Sequence, residues 1–295
     1  MTLLAGLVGG FSLAALLIVW PEVRGLCPAC APVAVSGIPS KYFVTVRKAV
    51  DLEKIYGDQM GGPRFPNGPV PRVYVRTLPA DLEAVADLER RKQLFFRIMV
   101  PQILRLNEAI QADRKRLIEI GRTDGPLPAT DSKWLESLAQ RYGTTSTDRQ
   151  TLLARVDIVP PSLAIAQAAI ESGWGTSRFA QLGNAVFGQR TFDPDRAGFS
   201  PSEVQDANFR VRRFQSLMRS VWGYMTTLNT HPAHREFRRL RAQLRRQGNA
   251  LDSMALAGTL TRYSEEGERY VRLVRNVISA NSLRSFDGRR LADAP

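Results

Sequence analysis

From Pro160 to Gly173 the chain reads PPSLAIAQAAIESG, and this run limits the fold more than any other. Pro161 suits a first helical turn, where its missing N–H costs nothing. Gly173 suits the left-handed position just past a helix end. Between them, Leu163 to Ile170 is apolar on nearly every side, so the helix has no face to offer to water and belongs at the centre of a helical body. Only Gln167 and Glu171 interrupt it, and their spacing of four puts both on one face. The pattern therefore predicts a carboxyl group at the C-terminal end of a buried helix. Desolvation and the negative helix pole both disfavour its anion and raise its pKa. A carboxyl group still protonated near neutral pH is what a general acid needs in order to protonate a leaving oxygen. Trp174 and Phe187 can supply apolar walls for a sugar ring, and Asn184 can supply amide donors and acceptors. The spacing fits equally well a buried Glu satisfied by a backbone N–H, with Trp174 as core.

The remaining chain agrees with a mostly helical protein. Apolar residues recur near a 3.6-residue period at Leu82, Val85, Leu88, Phe95 and Met99, and again from Ile103 to Ile120. Pro101 is expected to kink or divide that stretch. Asp131 or Ser132 can cap a further helix through Tyr142. Leu217, Val221, Tyr224, Met225 and Leu228 mark one later helix, and Tyr270 to Ile278 another. Residues 193–214 break the pattern with Pro194, Gly198, Pro201 and an alternating Asn208–Arg212, which predicts a loop and β-hairpin. Two β-like runs, Tyr42 to Val46 and Val70 to Val75, lie within a Pro/Gly-rich stretch read as an extended linker or a small arm packed on the main body.

Composition narrows the class. Hydrophobic residues make up 44% and charged residues 23% of 295, which excludes a mostly disordered chain. Two cysteines and two histidines exclude a disulfide scaffold and most multi-His metal sites. His231 and His234 read as loop residues. The net charge of +13 favours anionic partners such as an acidic wall polymer, phospholipid or nucleic acid. Residues 205–295 hold 17 Arg against 8 acidic side chains. On one helix, Arg235, Arg238, Arg239, Arg241, Arg245 and Arg246 would form a broad cationic face. No nucleic-acid motif accompanies the charge, so nucleic acid is not expected as a partner. Leu3 to Trp20 is an uncharged run near the minimum for a membrane span, read as an uncleaved anchor rather than a signal peptide. Cys27 and Cys30 just beyond it read as a local disulfide or two free thiols.

The motif Q-A-A-I-E-S-G-W-G-T-S-R-F-A followed by G-N-A-V-F-G resembles the glucosaminidase domain of glycoside hydrolase family 73, whose members cleave peptidoglycan. Upstream Arg91–Phe96, Pro101, Asn107 and Arg114, and downstream Leu228–Pro232 and Tyr263–Val271, resemble its Bax-like branch. The resemblance covers about residues 78–281. It implies a mainly α, lysozyme-like helical domain with a small β-hairpin lobe, preceded by a helical N-terminal extension. The organisation expected is an anchor or signal segment at 1–21, a Pro/Gly-rich linker or arm at 22–80, a helical extension at 81–150, the glucosaminidase domain at 151–283 and a tail at 284–295. The resemblance implies Glu171 as general acid and Tyr263 close to it. Glu203 is the choice for a second catalytic carboxylate, ahead of Asp193, Asp195 and Asp206. Gln167, Trp174, Asn184, Phe187 and Tyr270 are expected to bind substrate. Peptidoglycan glycan strands are the expected partner, with membrane attachment through the N-terminal segment, at the periplasmic or extracytoplasmic face of the inner membrane. No cofactor and no metal are expected. The enzymatic alternative is a lytic transglycosylase or muramidase, where a catalytic Glu followed by Ser also occurs, but the Gly-Leu-Met-Gln that usually follows in lytic transglycosylases is replaced here by Asn184–Gly188. A non-catalytic wall-binding scaffold is the rival outside enzymes.

Overall fold

The computed structural model describes residues 38–56, 68–122, 125–193, 197–200 and 209–294. The expected anchor at 1–21, the pair Cys27 and Cys30, and the carboxylates Asp195, Glu203 and Asp206 lie outside the described residues. Among the described residues, no helix is long and apolar enough to cross a membrane.

The arm contributes α1 (Ala49–Tyr56) and two short parallel strands, β1 (Phe43–Val44) and β2 (Tyr74–Val75). Next come α2 (Leu88–Ile120), α3 (Ala129–Arg141), α4 (Arg149–Arg155), α5 (Pro161–Ser172) and α6 (Arg178–Gly183). A lobe of β3 (Arg190–Thr191), β4 (Gly198–Phe199) and β5 (Arg210–Arg212) interrupts the helices. Four more helices follow: α7 (Leu217–Thr230), α8 (Arg235–Arg246), α9 (Ser253–Ala257) and α10 (Glu268–Ala280), with a 3-10 turn at Leu283–Phe286. The lobe is antiparallel with order β3-β5-β4, pairing Arg190 with Val211 and Gly198 with Arg212. The fold is mainly α with a small β lobe, as the hydrophobic periods imply.

As expected, α5 is central. Every residue from Pro161 to Ala169 is buried, and the helix packs against α2, α9, α10 and the turn at 283–286. One hydrophobic cluster runs from Val46 in the arm to Leu291 near the C-terminus. Backbone bonds tie these two ends together: the Val70 N–H donates to the Arg290 carbonyl and the Ala292 N–H to the Val70 carbonyl, both at 2.8 Å. Arm and tail therefore share the core of the helical body.

Some element boundaries differ from the sequence expectation. The long helix begins at Leu88 rather than near Asp81, because the Asp87 side chain accepts the N–H groups of Glu89 and Arg90 and sets its start there. Pro101 does not divide it. A proline leaves the carbonyl four residues back without its helical donor, and here the buried Tyr56 hydroxyl donates to that oxygen, on Arg97, at 2.7 Å. Helix α3 starts at Ala129, so Asp131 lies in its first turn instead of capping it.

The arginine-rich helix α8 does not present one broad cationic face. Arg238 and Arg241 are buried. Arg238 donates to the carbonyls of Leu228 and His231, and Arg241 to those of Asp157, Ile158 and Ala154. Arg245 grips the Asp157 carboxylate with two bonds of 3.0 and 2.8 Å. Arg114 of α2 and Arg241 stand 3.6 and 4.0 Å from the same carboxylate. The two histidines lie in the connection after α7, His231 at the helix end and His234 in the following turn, and both are buried.

Burial alone would raise the Asp157 pKa, but the Arg241, Arg245 and Arg114 guanidiniums outweigh it and hold the group below the usual carboxylate range. A depressed folded pKa contributes stability above the unfolded value, and that stability is lost as pH falls through the folded one. Asp157→Ala leaves buried guanidinium charge uncompensated and is expected to cost about 3–5 kcal/mol. Urea unfolding at pH 7 measures this cost, and the difference from wild type should shrink at strongly acidic pH.

Candidate active site

Glu171 occupies the last turn of α5. The helix stops where Gly173 adopts φ 57°, ψ 47°, and the Trp174 N–H bonds back to the Ala169 carbonyl at 2.9 Å. Gly173, Trp174 and Gly175 all have positive φ, at 57°, 59° and 83°. That conformation is uncommon for a bulky residue. Packing holds it: the Trp174 ring lies edge-on to Phe95 and Phe96, 5.8 Å from each, with the Lys92 ammonium over its face. Gly175 is needed for space as well as for φ, since a Cβ there would come within 2.9 Å of Leu82. Ser172 braces the turn, donating to the Ala168 carbonyl and accepting from the Gly175 N–H.

The expected pairing of Gln167 with Glu171 on one face is present, and tyrosines join them. Tyr270 of α10 donates to Glu171 Oε1 at 2.8 Å. Gln167 Nε2 donates to the Tyr270 hydroxyl at 2.8 Å. The Tyr224 hydroxyl of α7 donates to Gln167 Oε1 at 2.7 Å. Tyr263 stacks on Tyr270, with ring centres 5.3 Å apart, and the Glu171 carboxyl group acts on it electrostatically. His234 packs behind Tyr263, and burial lowers its pKa to about 3, leaving it neutral.

Asn184 takes a left-handed conformation at the end of α6, and its buried amide donates to the Phe214 carbonyl at 3.0 Å. It thereby ties the end of the lobe to the helical body. Phe187 is fully buried, stacked 4.1 Å from Tyr224. Gly188 is part-exposed with φ 59°, and a Cβ on it would sit 3.6 Å from Glu171 Oε2. Of the residues expected to bind substrate, Gln167, Asn184, Phe187 and Tyr270 are buried, and Trp174 is part-exposed.

Two site residues escaped the sequence reading. Tyr224 looked like one more apolar mark on α7. A phenol in a buried stripe needs a polar partner, and that was the available signal. Arg190 of β3 acts electrostatically on Glu171 and Glu265, and its two-residue strand carries no pattern that would reveal it. Among described carboxylates, Glu266 also acts on Glu171. Asp193 lies part-buried at the end of β3. Among the described residues, no group of three His, Cys, Asp or Glu is arranged to hold a metal ion.

Glu171 is part-exposed, and the protein packed around it desolvates its carboxyl group. Desolvation pushes its pKa up to about 8, against the Tyr270 hydrogen bond and the Arg190 charge, which favour the anion; Glu266 adds to the rise. The folded state therefore holds a proton that the unfolded state loses above about pH 4.5. Glu171 accordingly costs stability, and increasingly so as pH climbs from 4.5 to about 8. Glu171→Gln removes that cost, so its thermal midpoint should exceed wild type at pH 9 by more than at pH 4.5. Equal differences at both values would mean that the carboxyl titrates normally.

Residues 147–283 match the glucosaminidase family, described as mannosyl-glycoprotein endo-beta-N-acetylglucosaminidase. The chain is 37% identical over 186 residues to Protein bax of Escherichia coli (strain K12), a stretch covering 61% of this chain and 66% of that protein. No solved structure matches.

Proposed function

Because this chain is a Bax-like protein carrying a glucosaminidase domain, we propose that it is a peptidoglycan hydrolase, an endo-β-N-acetylglucosaminidase of the family 73 type. It cleaves the β-1,4 bond after N-acetylglucosamine. The observation that carries the reading is the Glu171 carboxyl group, kept protonated near neutral pH at the end of α5 and hydrogen-bonded by Tyr270.

Glu171 donates its proton to the glycosidic oxygen while positive charge develops on the sugar ring. The anion left behind keeps the Tyr270 hydrogen bond, and the Arg190 charge favours it further. Water or the substrate's own acetamido group then meets the sugar cation from the opposite side. Trp174, part-exposed and three residues beyond Glu171 in the chain, is proposed to offer an aromatic surface for a sugar ring. The uncharged run from Leu3 to Trp20 supports membrane attachment and work on the extracytoplasmic side, where peptidoglycan lies.

The test is digestion of purified sacculi followed by mass spectrometry. Wild type should release fragments with new reducing-end N-acetylglucosamine. Glu171→Gln should reduce release by about 100-fold or more, the scale on which a general acid contributes. The wild-type rate should decline as pH rises past about 8, where Glu171 loses its proton. Anhydro-muramic ends would assign a lytic transglycosylase instead. Binding of sacculi without any cleavage would assign a scaffold.

A further inference from the structure

The hydrogen bonds behind Glu171 have a direction. A phenol has one proton. Tyr270 spends its proton on Glu171 Oε1, so from Gln167 it can only accept. The two ends of an amide differ, and Gln167 turns Nε2 toward Tyr270 because its Oε1 takes the Tyr224 hydroxyl at 2.7 Å. Gln167, Tyr224 and Tyr270 are 0%, 0% and 1% exposed, so water cannot replace a missing partner. The reverse polarity would need a proton on Glu171 Oε1 and would fail once the acid ionised. The observed polarity serves both states of the acid.

We infer that Tyr224, Gln167 and Tyr270 form a one-way chain of hydrogen bonds that commits Glu171 Oε1 to accepting and keeps the transferable proton on Oε2. Oε2 is the oxygen facing part-exposed Gly188, so the proton waits on the side where a substrate can reach it. Tyr224 and Gln167 are positioning residues: they act through Tyr270 and touch no reacting atom. The inference rests on the proposed role of Glu171 as acid. The other charged groups acting on Glu171 are Arg190 from β3 and Glu266 from the turn before α10, with Tyr263 stacked on Tyr270. The variants below substitute none of these groups.

Two substitutions test the polarity in the full chain. Tyr224→Phe frees the amide to flip and draw the Tyr270 proton away from Glu171. Gln167→Glu keeps the shape but offers only acceptors when ionised, which reverses the same bond. The Glu171 titration is followed by carboxyl carbon-13 NMR, with its signal assigned by its absence in Glu171→Gln. Loss of a donor to the anion should raise the midpoint in both variants by about one unit. The basic limb of the rate on soluble glycan oligomers should move up equally. At pH 7, kcat should fall about tenfold with KM changed less than about twofold, because orientation and not substrate affinity is lost. An unchanged Glu171 midpoint in both variants overturns the inference. If circular dichroism shows Gln167→Glu unfolded, Tyr224→Phe decides alone. If wild type cleaves no glycan, the hydrolase reading fails, while the Glu171 midpoint in the variants still tests the polarity of the hydrogen bonds.

Discussion

A helix buried on all sides can carry a carboxyl group only near its end, where some solvent remains within reach. Helix α5 meets that condition. Its apolar length is closed in by α2, α9, α10 and the turn at 283–286, and Glu171 sits at the last turn before Gly173 reverses the chain. The properties of the site follow from that placement. Burial holds the proton on the acid, the helix pole adds to the effect, and the neighbouring helices can bring only uncharged tyrosines to the carboxyl group without cancelling the shift.

Buried charge is handled in opposite ways at the two ends of this core. Around Asp157, three guanidiniums surround one carboxylate and keep it ionised. Around Glu171, one hydrogen bond and one cation are too little to offset desolvation, and the group stays neutral. The arginine-rich composition of the C-terminal half thus serves packing as well as surface charge: α8 turns Arg238 and Arg241 inward and leaves Arg235, Arg239 and Arg246 outside.

Several short motifs in the chain are mechanical parts of the site. The Gly173-Trp174-Gly175 turn needs left-handed backbone at three successive positions and close contact with Leu82. Asn184 closes α6 and ties the lobe to the body. Phe187 supports the ring of Tyr224, which in turn orients Gln167. Residues that read as sugar-contacting groups in a linear motif are in good part the frame that holds the acid.

The sequence alone determined the central helix, its two ends, the placement of Gln167 and Glu171 on one face, and the direction in which the acid's pKa moves. These are local properties: they depend on residue type, a period of 3.6 and the helix terminus. The later helices α7 and α10 were legible for the same reason. Tertiary structure decided that Tyr270 hydrogen-bonds the acid, that Tyr224 and Arg190 belong to the site, and that Tyr56 rescues the helix at Pro101. Tertiary structure likewise decided that part of a dense arginine run turns inward. The hydrogen bonds behind the tyrosine placements join residues 41 to 103 positions apart, and no periodicity within a segment records what a distant helix will place against it.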